Sequence, residues 1–349
     1  MRVVVAMSGG VDSATVAALL HEQGHEVIGA TMQLYDSGAA RGRPGSCCAG
    51  QDIFDARAVA DRLGFPHYVL DYEALFQREV VEDFATTYAA GQTPIPCIAC
   101  NRGPKFTHLA RFAQDLGAEA LATGHYARRL EGTHGAELHR AVDAARDQSY
   151  FLAMTTRAQL EYLRFPLGEM TKPEVRAHAA RLGLAVAEKP DSQDICFAPN
   201  GSHAAVVARL RPEAARPGPI LHQDGRTLGQ HRGLAHYTVG QAKGLGLDPN
   251  NGSKLFVLRL EAAQNRVVVG PLAALGGTQV RLSGMNWLAQ VPAAPIRVAA
   301  KLRGRETPRA AMATADALEL DEPATAAPGQ AAVLYDGERV LGGGVIARA

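Results

Sequence analysis

The sequence predicts an α/β protein: a doubly wound parallel sheet over roughly the first 200 residues, then a β-rich remainder of the 349-residue chain. Three observations carry this. Short apolar runs alternate with helical periodicities as far as Asn200. A glycine-rich turn, MSGGVDS, joins the first apolar run to the first helix. Beyond Asn200 the helical pattern gives way to short β-branched segments.

Taken in order, residues 3–7 (VVVAM) form a short strand, and Asp12 to Gln23 carries Val16, Leu19 and Leu20 at helical spacing. Residues 26–34 (EVIGATMQL) return as a strand. Residues 52–64 read as a helix with Ile53, Ala56, Val59, Ala60 and Leu63 on one face, closed by Gly64. HYVLDY (67–72) is the next strand, and a helix is expected from about Glu73 to Tyr88. Pro104, a residue suited to a first turn, opens another helix through about Leu116. EALATGH (119–125) is again strand-like. Such alternation places helices on both faces of a parallel sheet. The stretch 211–220, RPEAARPGPI, reads as a linker. Five β-type segments follow, at 254–260, 266–270, 278–284, 295–303 and 331–346, the last with an Asp336-Gly337 hairpin signal. They predict two small barrels or sandwiches with a break near 271–277. No repeat recurs at a fixed period.

Length and composition bound the function. A chain of 349 residues suits two or three domains. No apolar run approaches the ~18–20 residues that span a bilayer. The amino terminus lacks a signal-peptide pattern, so a cytoplasmic protein is expected. A net charge of +1 excludes a globally basic nucleic-acid binder but permits a local basic face. The five cysteines, Cys47, Cys48, Cys97, Cys100 and Cys196, are too sparse for a disulfide framework and point to metal binding or thiol chemistry.

The turn Ser8-Gly9-Gly10-Val11-Asp12-Ser13 has a direct physical reading. Its glycines let the backbone approach a ligand, and the following helix turns its positive end to the same place. Two hydroxyls add donors. The result is an anion nest suited to phosphate. Asp12 alone would repel phosphate, which points to a bridging Mg²⁺. The bland alternative is a glycine turn with Asp12 or Ser13 capping the helix. The pattern is neither a P-loop nor a Gly-x-Gly-x-x-Gly turn.

The cysteines divide by setting. Cys97 and Cys100 lie in TPIPCIACNRGPKF, just before an expected helix start and near Arg102 and Lys105. A helix amino terminus and cationic neighbours favour thiolate, making Cys100 a candidate low-pKa nucleophile. Cys196 sits in the polar, turn-prone EKPDSQDICF. Cys48, in a Gly/Arg-rich loop, is more simply a small buried residue. Structural zinc is a competing reading, but a single Cys-x-x-Cys supplies only two ligands.

The string SGGVDS resembles the signature of the ATP-pyrophosphatase (PP-loop) superfamily. With CCAGQDIFDARAVADRLGFPHYVLDY, CNRGPKF, ATGHY, RDQSYFL, DSQDICF, YTVGQAKGLGL and GQAAVLYDGERVLGGGVI in order, the whole chain resembles the bacterial tRNA-specific 2-thiouridylases. The resemblance implies an ATP-binding doubly wound domain (1–205), a small central domain (206–275) and a tRNA-binding C-terminal β-barrel (276–349). It implies ATP-dependent replacement of the C2 oxygen of the wobble uridine by sulfur, in tRNAs for Lys, Glu and Gln.

Carried over by position, Ala6, Met7, Ser8, Gly9, Gly10, Val11, Asp12 and Ser13 would hold ATP phosphates, with Asp12 facing Mg²⁺. Met32 would contact adenine, and Gly124 would let backbone approach the nucleotide. Ile95, Pro96 and Cys97 would face the target base. His125, Arg146, Asp147, Gln148, Arg303, Gly304 and Gln330 would contact tRNA. The anticodon loop would be the part of the tRNA engaged. Lys301, Arg303, Arg305 and Arg309 face one acid, Glu306, and form a candidate phosphate-binding stripe. Relatives commonly have an aromatic residue where Gly304 stands.

The implied chemistry begins with transfer of AMP to the uridine oxygen. Cys196 then carries sulfur as a persulfide from a carrier protein, and Cys100 releases it by forming a Cys100–Cys196 disulfide. Many relatives have Asp at the position of Cys97. Three thiols, Cys97, Cys100 and Cys196, raise the alternative of a [4Fe–4S] cluster with one open iron, as in some related tRNA thiolases. Other readings are a sibling PP-loop synthetase, a nucleotide sensor or tRNA-binding module without catalysis, and a thiol–disulfide oxidoreductase.

Overall fold

Three consecutive valines drive the first strand. In the computed structural model, β1 (Arg2–Ala6) is the central strand of a parallel sheet, with Val4 and Val5 fully buried. The structure describes residues 1–35, 49–191, 195–198, 203–247 and 254–348. Cys47 and Cys48 lie outside the described residues. The described chain divides into two compact units, one comprising residues 1–79, 97–200 and 338–341, the other residues 80–96, 201–337 and 342–349.

In the first unit, β1 is flanked by β2 (Glu26–Gln33) and, on its other side, by β4 (Ala120–Thr123). Outside these lie β3 (His67–Asp71) and the two-residue β7 (Leu163–Arg164), all pairing in parallel. The order β3-β2-β1-β4-β7 reverses direction between β1 and β4. In open sheets ligands bind at the carboxyl ends of the strands beside such a reversal. An antiparallel hairpin, β5 (Ala127–Gly132) and β6 (Gly135–Arg140), follows β4; no alternation was strong enough to announce it.

Helix α1 (Val11–Glu22) is apolar on more than one stripe: Val11, Ala14, Val16, Ala17, Ala18 and Leu19 are all buried. Its alanines permit close packing on the sheet and against α2 (Ala49–Leu63) and α3 (Lys172–Arg181). The single expected helix from Glu73 is present as α-helical turns at Glu73–Phe76 and Glu82–Ala89 around a π-helical turn, Gln77–Val81. The helix expected to open at Pro104 begins instead at Pro96. Proline is the first residue, as the first-turn rule anticipates, but a different proline. Pro104 lies inside a π-helical stretch, Asn101–Leu109, where its missing N–H is compatible with the widened turn.

The second unit is β-rich. Strands β8 (Gly218–His222), β9 (Thr227–His231), β10 (Phe256–Glu261) and β11 (Arg266–Gly270) form one sheet, with β8 and β11 parallel. Ile220, Leu234, Tyr237, Val257, Val267 and Val269 make its core. The linker expected at 211–220 is ordered: Pro212–Ala215 forms a 3₁₀ turn with Ala214 only 3% exposed, and Gly218 starts β8. Its small residues serve close packing, since a Cβ on Gly233 would lie 2.8 Å from the Ala215 Cα.

Six further strands close a barrel: β12 (Gly277–Trp287), β13 (Ile296–Lys301), β14 (Arg309–Ala313), β15 (Ala317–Ala324), β16 (Ala331–Asp336) and β17 (Arg339–Ile346). The closing contact pairs β12 with β17, Leu282 opposite Ile346. Gly337, with φ of +56°, makes the tight β16–β17 turn that Asp336-Gly337 announced. The expected fold class therefore stands: a doubly wound parallel sheet, a central β-rich segment and a C-terminal β-barrel. Among the described residues no helix is long and apolar enough to cross a membrane.

Leu121, fully buried in β4, tests this packing. Leu121→Ala is expected to destabilise the first unit by about 2–5 kcal/mol, read as a lowered urea midpoint by circular dichroism.

Candidate active site

The carboxyl ends of β1 and β4 carry Ala6–Ser13, Gly124 and His125 among the residues singled out from sequence. Ala6 ends β1 and is half-buried; Met7 and Val11 are buried and support the turn rather than line its surface. Ser8 is exposed. Its N–H donates to Ser13 Oγ at 3.0 Å, and the two hydroxyls lie 3.2 Å apart. Gly9 has φ of +72°, and a Cβ there would fall 2.2 Å from the Asp52 carbonyl oxygen. Gly10 is the N-cap of α1 without a side-chain cap. The helix amino terminus is thus left for a ligand, as an anion nest requires.

Gly124 lies one residue beyond β4. A Cβ there would lie 2.9 Å from Ser13 N and 3.1 Å from Asp12 Cβ. The backbone that approaches it is that of the nest itself. Met32 lies inside β2 near its carboxyl end, half-buried, opposite Leu70.

Asp12 does not face solvent alone. Lys172 Nζ donates to both its oxygens, at 2.7 and 2.9 Å, and Tyr126 Oη donates to Oδ1 at 2.9 Å. Burial and the Asp12 charge together push the Tyr126 phenol far above its ordinary range, so it remains a donor. Lys172 thus sets a positive charge directly against the carboxylate expected to face Mg²⁺. Among the described residues no group of three or more His, Cys, Asp or Glu could hold a metal. A phosphate-bound Mg²⁺ asks less, since one carboxylate such as Asp12 suffices beside substrate oxygens.

Lys172 also donates to Asp191 at 2.7 Å, and Asp191 accepts from Arg146 at 2.7 Å. A second lysine, Lys189, donates to the Gly9 carbonyl at 2.8 Å and to Asp52 at 2.7 Å. Neither lysine had a local signal: Lys172 is 160 positions from Asp12. The other two residues of the expected tRNA-contact stretch have structural partners. Asp147 accepts from Ser149 N and Oγ and from Ala141 N. Gln148 Oε1 accepts from Tyr126 N at 2.9 Å.

His125 follows Gly124 directly. Its Nδ1 lies 2.8 Å from Thr123 Oγ1, and its ring packs edge-on to Phe106 and Phe165. Burial, and then the charge of Lys105, hold it neutral well below the ordinary imidazole range. The same Lys105 charge acts on Cys97 and Cys100; Lys105 Nζ donates to Asn101 Oδ1 at 2.8 Å, and the adjacent Phe106 ring meets that of His125. Cys97 is exposed and Cys100 half-buried.

The low-pKa reading of Cys100 is not upheld. Desolvation pushes both thiols up, and Lys105 offsets this only in part. The helix starts at Pro96, so Cys100 lies a full turn beyond the favourable helix end. No disulfide joins Cys97, Cys100 or Cys196 in this structure. Cys196 is exposed on a short turn; next to it Phe197 packs edge-on to Phe76 at 5.8 Å and Ala198 is buried.

Within the second unit, Ile95 and Pro96 are half-buried. Gln330 Nε2 donates to the Thr93 carbonyl at 2.9 Å, and Thr93 N donates to Pro328 O at 2.8 Å, so Gln330 braces the chain leading to Ile95. Arg303, Arg305 and Arg309 are exposed, but Lys301 is only 8% exposed and leaves the expected stripe. Glu306 is turned to the backbone, accepting from Leu302 N and from Arg303 N at 3.1 Å. Gly304 is half-buried in the turn after β13.

The cysteine electrostatics can be checked directly. A raised pKa means less thiolate near neutrality. Iodoacetamide labelling of Cys100, followed by peptide mass spectrometry, is expected to show a pH midpoint above the free-cysteine value of about 8.5. Lys105→Met should move that midpoint higher still.

Comparison with known proteins matches the chain in three successive regions. Residues 1–200 match the family described as tRNA methyl transferase HUP domain, residues 205–271 its PRC-barrel domain, and residues 278–346 the aminomethyltransferase beta-barrel domain. The tRNA-specific 2-thiouridylase MnmA of Acidiphilium cryptum is 61% identical, over 99% of this chain and 100% of that protein. Those of Gluconobacter oxydans and Rhizorhabdus wittichii are 58% and 60% identical, over 99% of this chain and 99% and 91% of theirs. The chain belongs to the tRNA-specific 2-thiouridylase family.

Proposed function

We propose that the protein is a tRNA-uridine 2-sulfurtransferase acting in the cytoplasm. The observation that carries this reading is a glycine-rich anion nest at the carboxyl ends of β1 and β4, where Gly124 meets the nest backbone and the next residue, His125, shares the Lys105 charge with Cys97 and Cys100. ATP would place its phosphates on Ala6–Ser13, with Met32 toward adenine. Mg²⁺, held by Asp12 and the phosphates, would offset charge as pyrophosphate leaves.

The target is the wobble uridine in the anticodon loop of tRNAs for Lys, Glu and Gln. A uridine C2 oxygen is a poor leaving group; adenylation makes it a good one. Cys196 receives sulfur from a persulfide donor protein. Its outer sulfur bonds to C2, and AMP departs with the oxygen. Cys100 thiolate then attacks Cys196 Sγ, and the pair of electrons of the broken S–S bond stays on the sulfur now attached to C2. A cellular thiol reduces the resulting Cys100–Cys196 disulfide. Because the Cys100 thiol is raised in this state, its deprotonation belongs to the tRNA-bound state. Residues Ile95–Cys97 would line the base pocket, and His125, Arg146–Gln148, Arg303, Gly304 and Gln330 the tRNA path. The three-part organisation is 1–205, 206–275 and 276–349.

Two measurements test this. Cys196→Ser is expected to abolish thiolation of purified tRNA, given ATP and a defined persulfide donor, while leaving ATP binding intact; full activity would favour a sibling synthetase. Gly124→Ala drives a methyl against the nest backbone and is expected to weaken ATP binding about tenfold, or ~1.4 kcal/mol, by isothermal calorimetry.

A further inference from the structure

We propose that Thr31 and His67 are positioning residues for the bound nucleotide: the His67 imidazole fixes the Thr31 hydroxyl, which aims the Met7–Ser8 peptide that opens the anion nest. The inference rests on the nucleotide-binding reading above and adds what holds the nest in shape from behind.

Thr31 is buried in β2, one residue before Met32. Its Oγ1 donates to the Met7 carbonyl at 2.8 Å and lies 2.8 Å from His67 Nε2. A hydroxyl has one hydrogen, and a carbonyl oxygen can only accept it. His67 Nε2 must therefore carry a proton and donate it to Thr31 Oγ1. Burial, and then the charge of Arg57, hold the ring below the ordinary imidazole range, which keeps it in this neutral form. Its Nδ1 is buried and meets no hydrogen-bond partner among the described residues. The bond to Thr31 is thus what orients the ring. Gly29, opposite His67 in the sheet register, makes room for it. A Cβ on Gly29 would lie 2.9 Å from His67 Cδ2 and 2.7 Å from Met7 Sδ.

The relay ends on a peptide held from both sides. The Met7 carbonyl accepts from Thr31, and the Ser8 N–H donates to Ser13 Oγ at 3.0 Å. A trans peptide points its N–H away from its carbonyl, so fixing one aims the other. The Gly9 carbonyl is held in the same way by Lys189 at 2.8 Å, which turns the Gly10 N–H to the opposite side. A turn whose alternate carbonyls are tied back has little order left to lose when phosphate binds, and that is preorganisation. Removing the Thr31 hydroxyl takes this donor from the Met7 carbonyl and loosens the first peptide of the nest.

The test measures Mg-ATP affinity of the full-length protein by isothermal calorimetry. Thr31→Val keeps the branched shape and removes the hydroxyl; Thr31→Ser keeps the hydroxyl and removes a methyl. Binding is expected to weaken about tenfold in Thr31→Val and to stay within about twofold of wild type in Thr31→Ser. A packing role alone predicts the reverse order, since Val fills the site and Ser leaves a gap. His67→Phe is expected to weaken binding about fivefold, while His67→Gln, which keeps an N–H donor near the position of Nε2, stays within about twofold of wild type. Wild-type affinity in Thr31→Val or His67→Phe, or Thr31→Ser no tighter than Thr31→Val, overturns the positioning role alone. Wild type that binds no ATP overturns the nucleotide reading and the inference together. Should Thr31→Val fail to fold, the His67 pair carries the same comparison.

Discussion

The site depends on a carboxylate, Asp12, standing inside an anion nest, and on the ammonium of Lys172 that makes this tolerable. Opposite charges about 4 Å apart attract by ~4 kcal/mol at the effective dielectric of a protein surface, and like charges repel equally. Without Lys172, Asp12 would turn the positive end of α1 into a poor host for phosphate. With it, Asp12 becomes the hub of a hydrogen-bonded group that includes Tyr126 and, through the ammonium, Asp191. The positions of α1, α3 and the end of β4 must agree to well under an ångström for this to hold. Gly124 is part of that agreement, because no side chain fits between β4 and the nest.

The frame around the nest is built from lysine and arginine contacts to backbone as much as to acids. Lys189 holds the Gly9 carbonyl and Asp52, and Gly9 itself packs on the Asp52 backbone. These bonds keep the left-handed turn at Gly9 in place without using the amide groups that face a ligand. Residues expected to meet tRNA are used the same way. Asp147 and Gln148 brace local backbone, and Gln330 braces the chain at Thr93. Their side chains set the shape that a nucleic acid would meet.

The thiol side obeys a different logic. Burial raises Cys100, and Lys105 restrains the rise. A thiol held mostly protonated is less prone to stray oxidation, because the thiolate is the reactive form. Cys196 is instead exposed on its turn. The two cysteines thus differ in setting, Cys196 open to solvent and Cys100 half-buried with its thiol held protonated.

Local information determined much of this. Period-2 and period-3.6 apolar runs marked β1 to β4, α1 and α2 to within a few residues, because each element buries its own face. SGGVDS marked the nest, since only glycine tolerates the turn at Gly9, and Asp336-Gly337 marked the last hairpin. What tertiary structure alone decided were contacts between residues far apart in the chain. Lys172 reaches Asp12 across 160 positions. Pro104 was accommodated inside a π-helical stretch, Lys301 was buried, and the cationic setting of Cys100 was outweighed by desolvation. Charge neutralisation and desolvation depend on everything within a few ångströms in space, and a one-dimensional pattern carries no record of which distant side chain will arrive there.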